Sequence, residues 1–265
     1  MTLPRFLGLG ALKAGTTTVH TLLAHHPQVA LPTHRKEVMF FDRSWARGPA
    51  WYEAHFAHAA GRTPGEISPN YLFDPAVPER IAGLIPEARL FAVLREPVSR
   101  AYSQYVHFVR EQRYRQPFET FLTEHPNAFE RGLYAAQLRR FLDYFPREQL
   151  HVLHLEALIA DHAPVTAALL SHLRLPVIPL PAPEQQNAGV VPAASRTWAA
   201  GRKVARWLYD HDLAWVVDKA RALGVRERLL RRKGDKPAKI SDATRARLTD
   251  AYAADQEDLR SLSFR

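Results

Sequence analysis

Lys13 sits inside a glycine-bounded hexapeptide, Gly10 to Gly15, and is followed by Thr16, Thr17 and Thr18. A cation, two residues free to adopt positive φ and a run of hydroxyls opening a helix are the ingredients of an anion cradle. The first N–H groups of such a helix, and the positive end of its dipole, would face the loop formed by Lys13, Ala14 and Gly15. The spacing follows G-x-x-x-x-G-K-[ST], but the residue after the second glycine is Thr16 and the lysine lies inside the loop. In the nucleoside-triphosphate version the lysine reaches the terminal phosphates, whereas an internal Lys13 reaches a bridging oxygen nearer the loop floor. For this stretch alone, an ordinary strand-to-helix turn with a surface lysine is the alternative.

Glu37 is the second chemical group. In HRKEVMFFD, His34 to Asp42, the charged run Arg35-Lys36-Glu37 stops at Val38-Met39-Phe40-Phe41, which sets a carboxylate beside an apolar wall. That placement suits a general base; the alternative is a surface residue paired with Lys36 or Arg35. His20 and His34 are the fallback bases. Arg95 is the third group, at the end of the apolar run Leu90 to Leu94. A helix opening at Pro97 puts Ser103 within its first two turns. A guanidinium fork and a hydroxyl together suit a second phosphate, against the alternative of a salt bridge from Arg95 to Glu96 or Glu111.

The elements that must position these groups alternate between strand and helix. Phe6, Leu7 and Leu9 suit a buried strand, Thr16 to His26 a helix, and Val29 to Leu31 a short strand. Trp45 to Ala60 carries Trp51, Tyr52, His55 and Phe56 at helical spacing, as a packed helix or as the wall of a substrate pocket. Gly65 to Tyr71 reads as a strand running into a turn at Ser68-Pro69-Asn70, whose hydroxyl and amide are placed to touch ligand. Asp74 to Pro86 reads as a helix capped by Asp74, with Pro75 in its first turn. Phe118 to His125 and Arg131 to Tyr144 are amphipathic, Leu150 to Leu155 is a strand, and Leu158 to Leu173 is largely helical. Pro176, Pro179, Pro181 and Pro183 then form an extended linker. The pattern predicts a single three-layer α/β/α domain with a P-loop-like central parallel sheet, its core at 1–183 and additional C-terminal helices at 184–265.

The chain of 265 residues is long enough for a substantial core and carries a formal charge of +9. Between Arg196 and Arg247, fifteen Lys/Arg stand against six Asp/Glu, so this segment holds the whole excess. Thr197 to Leu230 reads as a basic amphipathic helix divided at Gly224, suited to a lid, an acceptor surface or a peripheral membrane contact; no nucleic-acid motif accompanies it. With no cysteine there are no disulfides or thiolate metal sites, and the thirteen scattered histidines predict no metal centre. Neither a spanning apolar run nor a secretory leader is evident, which predicts a cytoplasmic protein.

Three stretches together resemble the sulfotransferases that use 3′-phosphoadenosine 5′-phosphosulfate (PAPS), particularly the bacterial and Golgi carbohydrate-type branch that includes heparan sulfate sulfotransferases. GALKAGTTTVHTLLAHHPQV is similar to that family's 5′-phosphosulfate loop, KEVMFFD to its catalytic-glutamate segment and LREPVSRAYSQY to its 3′-phosphate motif, in the family's order. The resemblance implies that Lys13 contacts the bridging or sulfuryl oxygens and that Gly15 to Thr18 cradle the 5′-phosphate. By the same likeness Arg95 and Ser103 bind the 3′-phosphate, and Glu37 deprotonates a hydroxyl-bearing acceptor, leaving adenosine 3′,5′-bisphosphate (PAP) without metal. Arg232, Lys233 and Gly234 fall where such families place a basic loop over the 3′-phosphate. Trp51, Tyr52, Ser68, Tyr71, His107 and Tyr134 are the candidate acceptor-side residues. One departure is Ile67, where heparan-type relatives often carry a lysine before the SPNY-like turn. The rival readings are an ATP-dependent kinase with a variant P-loop and a basic membrane- or nucleic-acid-binding protein.

Overall fold

The computed structural model describes residues 2–182 and 239–264, with short pieces between them at 191–192, 201, 204, 207–208, 216–217 and 233–234. Strands β1 (Phe6–Gly10), β2 (Val29–Ala30), β3 (Thr63–Ile67), β4 (Arg89–Leu94) and β5 (Leu150–His154) form a parallel sheet in the order β2-β3-β1-β4-β5. Alternation along the strands divides the core into two layers. Leu7, Leu9, Leu90, Ala92 and Leu94 face one side with Phe40, Phe41, Tyr52, Leu138 and Phe141. Phe6, Phe91 and Val93 face the other with Val19, Leu22, Leu169 and Leu170. This is the three-layer α/β/α arrangement, and it makes β3, β1 and β4 neighbours, so the loops at their carboxyl ends open onto one crevice.

Helix boundaries follow their caps. Helix α1 (Thr16–Ala24) starts where Gly15 turns left-handed, and α2 (Phe40–Arg43) where Met39 does so. The stretch expected as one helix over Trp45 to Ala60 is instead α3 (Gly48–Ala54) between two 3₁₀ turns, because Gly48 at φ 77° and Pro49 restart the chain. Helix α4 (Val77–Leu84) begins later than expected: Pro78 takes its first turn, while Asp74 accepts the Ala76 N–H at 3.0 Å in the turn before it. Helix α5 (Pro97–Gln112) is capped by Glu96, which accepts from the N–H groups of Val98 and Ser99, both at 2.8 Å. The Glu96 carboxylate is thereby committed to the helix end.

After α6 (Phe118–Glu124) and a short α7 (Asn127–Glu130), the helix expected over Arg131 to Tyr144 forms as α8 (Tyr134–Leu142). The cap of α8 is tertiary. Asp255, on the terminal helix Asp242–Ser261, accepts from the N–H groups of Tyr134 and Ala135 at 2.8 and 3.1 Å, and no local pattern announces such a cap. Past β5 the chain forms α9 (Leu155–Ala160) and α10 (His162–His172), separated at Asp161. Ser241 caps the terminal helix as expected, accepting the Thr244 N–H at 3.1 Å. Strands β6 (Val191–Pro192) and β7 (Lys233–Gly234) pair antiparallel, with β6 near α5. Most of the basic stretch at 197–230 lies outside the described residues, and the pieces of it that are described are helical. Among the described residues no helix is long and apolar enough to cross a membrane.

A satellite cluster of Val98, Ala101, Tyr105, Phe121, Leu248 and Tyr252 joins α5, α6 and the terminal helix. Arg100 lies beside it with its side chain sealed from solvent. The guanidinium donates to Gln104 Oε1 at 2.9 Å, to the Leu12 carbonyl at 3.4 Å and to the Ala128 carbonyl. One buried cation therefore ties the β1–α1 loop to α5 and α7. Arg100→Ala, which leaves a cavity and unpaired buried carbonyls, is expected to lower the unfolding free energy by about 3 kcal/mol in urea titrations.

Candidate active site

The loop between β1 and α1 is held from outside itself. Ala11 N–H donates to the Val93 carbonyl at 2.7 Å, and Arg95 and Arg100 reach the carbonyls of Lys13 and Leu12, both at 3.4 Å. Lys13 takes φ 68° and Gly15 φ 95°. A Cβ at Gly15 would come within 2.5 Å of Leu155 Cδ1, so only glycine lets the loop lie this close to the start of α9. Ala14 is buried and Thr16 nearly so. Helix α1 has neither a side-chain cap nor an acidic residue in its first turn, which leaves its dipole for an anion from outside.

Lys13 is a half-buried cation among charges. Burial and the neighbouring Arg110 bring its pKa down to about 8, with Lys36 adding to the fall while Glu37 and Glu111 oppose it. Lys36 donates to the Thr17 hydroxyl at 2.6 Å and lies 3.5 Å from Glu37 Oε1. Lys13, Thr17, Lys36 and Glu37 thus meet in one place. The Lys36 link joins residues 19 apart, and nothing local in the sequence signals it.

The segment carrying Glu37 is anchored from beneath by β3. The Tyr71 hydroxyl donates to Glu66 Oε1 and accepts from the N–H groups of Phe40 and Phe41 at 2.8 and 3.3 Å. Ser68 Oγ accepts the Met39 N–H at 3.1 Å. Tyr52 stacks on Phe40 with ring centroids 4.2 Å apart, and its hydroxyl faces the same carboxyl. Glu66 is wholly buried, and that burial pushes its pKa up to about 8. The Asn70 amide donates to Asp42 at 2.8 Å and accepts from Arg131 at 2.7 Å, which pins the turn to α2.

These contacts correct the acceptor-side expectations. Tyr52, Ser68 and Tyr71 are sealed from solvent and act as internal supports, as does Asn70 through its two bonds; none of the three walls a pocket. Tyr134 is also buried, and its hydroxyl donates to the Arg95 carbonyl at 2.8 Å. Trp51 stays half-buried under Arg47, whose guanidinium carbon is 4.5 Å from the ring centroid, and His107 is exposed on α5 one turn past a half-buried Ser103. His34 is exposed, and His20 is held down to about 4 by burial and Lys36, which makes it a weak base. Arg232 lies outside the described residues, while Lys233 and Gly234 form β7.

A family model described as the sulfotransferase domain matches residues 4–185. The chain belongs to the sulfotransferase domain family. Human bifunctional heparan sulfate N-deacetylase/N-sulfotransferase 3 is 32% identical over 188 residues, covering 62% of this chain and 21% of its own length. Mouse heparan sulfate glucosamine 3-O-sulfotransferase 6 is 33% identical over 170 residues, covering 60% of this chain and 49% of its own. The chain therefore spans half or less of these two relatives. A sulfotransferase from Alicyclobacillus acidocaldarius shares the fold, with a TM-score of 0.73 at 24% identity, covering 100% of this chain and 97% of that one. The family match falls on the sulfotransferase reading of the loop and not on the variant kinase one.

Glu66 is the buried support of this site that the sequence does not single out: an acid within β3 is its only signal. The folded protein holds the Glu66 proton to higher pH than the unfolded chain, so this group stabilises the fold fully below pH 4.5 and loses that contribution as pH rises to about 8. Measured as the wild-type minus Glu66→Gln difference in unfolding free energy, the loss is expected to run at about 1 kcal/mol per pH unit across that window and to flatten above it.

Proposed function

We propose that this sulfotransferase moves a sulfuryl group from PAPS to the hydroxyl of a carbohydrate, lipid or natural-product acceptor, with Glu37 as the base. The observation that carries the reading is the meeting of Lys13 and Glu37 beside the uncapped N-terminus of α1. An uncapped helix end, a buried cation and a nearby arginine form a donor set for an anion rather than for a metal. When bound, PAPS supplies an activated sulfuryl group whose departure leaves PAP.

Each residue then has a task. Gly15 to Thr18 present N–H groups and hydroxyls to the 5′-phosphate, and Lys13 offsets the charge that develops on the bridging oxygen. Arg95, with its backbone fixed by Tyr134, and Ser103 on α5 hold the 3′-phosphate, with Lys233 and Gly234 of β7 as further ligands; the pairing of β7 with β6, which contacts α5, supports that reading. Glu37 accepts the hydroxyl proton as the acceptor oxygen attacks in line. Lys36 orients Glu37 while bonding Thr17. Glu66 and Tyr71 keep the backbone beneath that base from shifting.

Calorimetry is expected to show PAP binding without magnesium and no comparable binding of ATP with magnesium; the reverse order of affinity would overturn the donor assignment. Glu37→Gln is expected to reduce sulfuryl transfer across an acceptor panel by at least about a hundredfold while PAP affinity stays within about twofold. Near-normal turnover in that variant would remove Glu37 as the base.

A further inference from the structure

Arg110 lies on α5 seven residues after Ser103, two turns along the same helical face. Its Nε is shut off from solvent and has no hydrogen-bond partner. It is also the charged residue that acts most strongly on Lys13, ahead of Glu37, Glu111 and Lys36. A dry, unbonded guanidinium N–H set near a second cation is unfavourable unless an anion lies between them. The neighbouring carboxylate Glu37 is engaged by Lys36 at 3.5 Å. On the β3 side, Ile67 is wholly buried against Phe6 and Phe91 and brings no charge to the crevice.

We propose that Arg110 is a ligand of the transferred sulfuryl group, donating from α5 to its non-bridging oxygens while Lys13 approaches from the loop. The inference rests on the donor reading above. A guanidinium fork matches the geometry of oxygens that share a negative charge. In the transfer, the bond from sulfur to the 5′-phosphate oxygen breaks, the bond from sulfur to the acceptor oxygen forms, and the acceptor proton passes to Glu37. Arg110 stays with the sulfuryl oxygens throughout, and in that position it supplies the charge that β3 does not.

PAPS carries the sulfuryl group and PAP lacks it, so the two nucleotides isolate this contact. By calorimetry, Arg110→Gln is expected to weaken PAPS about tenfold and PAP less than about twofold at pH 7, while Arg110→Lys recovers most of the PAPS affinity. A second readout is the pH dependence of PAP binding. In the wild type it is expected to weaken as Lys13 loses its proton at about pH 8. In Arg110→Gln that midpoint moves upward, because a repelling cation is gone while Lys36, Glu37 and Glu111 still face Lys13. Equal losses for PAPS and PAP, or no change for either nucleotide, would overturn the assignment even with donor binding intact. A wild-type protein that binds neither nucleotide would instead overturn the donor reading, and this inference with it.

Discussion

A carboxyl group with no access to water, Glu66, underlies the arrangement of the acceptor side. Burying it is unfavourable unless its oxygens find donors, and Tyr71 supplies the bond that makes burial tolerable. The same hydroxyl accepts two backbone N–H groups at the start of α2, so satisfying Glu66 also fixes the backbone directly after Glu37. Tyr52 then packs flat on Phe40 and closes the space above. Strand β3, helix α2 and helix α3 therefore hold their positions through one polar cluster set inside an apolar layer. Replacing Glu66 with an apolar residue of similar size would free the segment that follows Glu37 even if the layer remained filled.

The donor side uses a different device. Order in the sheet puts β4 next to β1, so the residues after Leu94 stand beside the loop after Gly10. Arg95 and Arg100 exploit that adjacency by bonding carbonyls of the loop, which holds the loop against β4 and α5. Tyr134 secures Arg95 in turn, and Asp255 on the terminal helix secures the start of α8 where Tyr134 sits. A chain of contacts thus runs from the terminal helix to the loop, which explains why residues far from the chemistry in sequence are buried close to it.

What could be read from the sequence was whatever has a local cause. The glycine positions around Lys13, the apolar run ending at Arg95, the proline opening α5 and Ser241 before the terminal helix each act within a few residues, and each lies where expected. Glu37 stands out in the sequence through its apolar neighbours, and the structure sets it beside Lys36. Contacts made across the fold left no such trace. Lys36 meets Thr17, Asn70 bridges Asp42 and Arg131, and Tyr71 meets Glu66, all through placements that only the assembled sheet creates. For the same reason Tyr52, Ser68 and Tyr71 looked like pocket residues: aromatic and hydroxyl side chains near a functional turn have the same composition whether they face ligand or hold the backbone behind it.

Charge distribution gives the crevice its direction. Lys13, Lys36, Arg95 and Arg110 gather near one end of α1, whose dipole adds to their field, and Glu37 stands among them. Cations this close raise one another's energy, and Arg110 and Lys36 add to the burial that lowers the pKa of Lys13. An entering anion offsets that repulsion, so electrostatic energy held in the folded chain becomes binding energy for an anionic ligand. Glu37 stands 3.5 Å from Lys36 within this field. In the reaction proposed above, Glu37 takes the acceptor proton as attack proceeds, and that role would tie the cationic cluster to the timing of the chemistry as well as to nucleotide affinity.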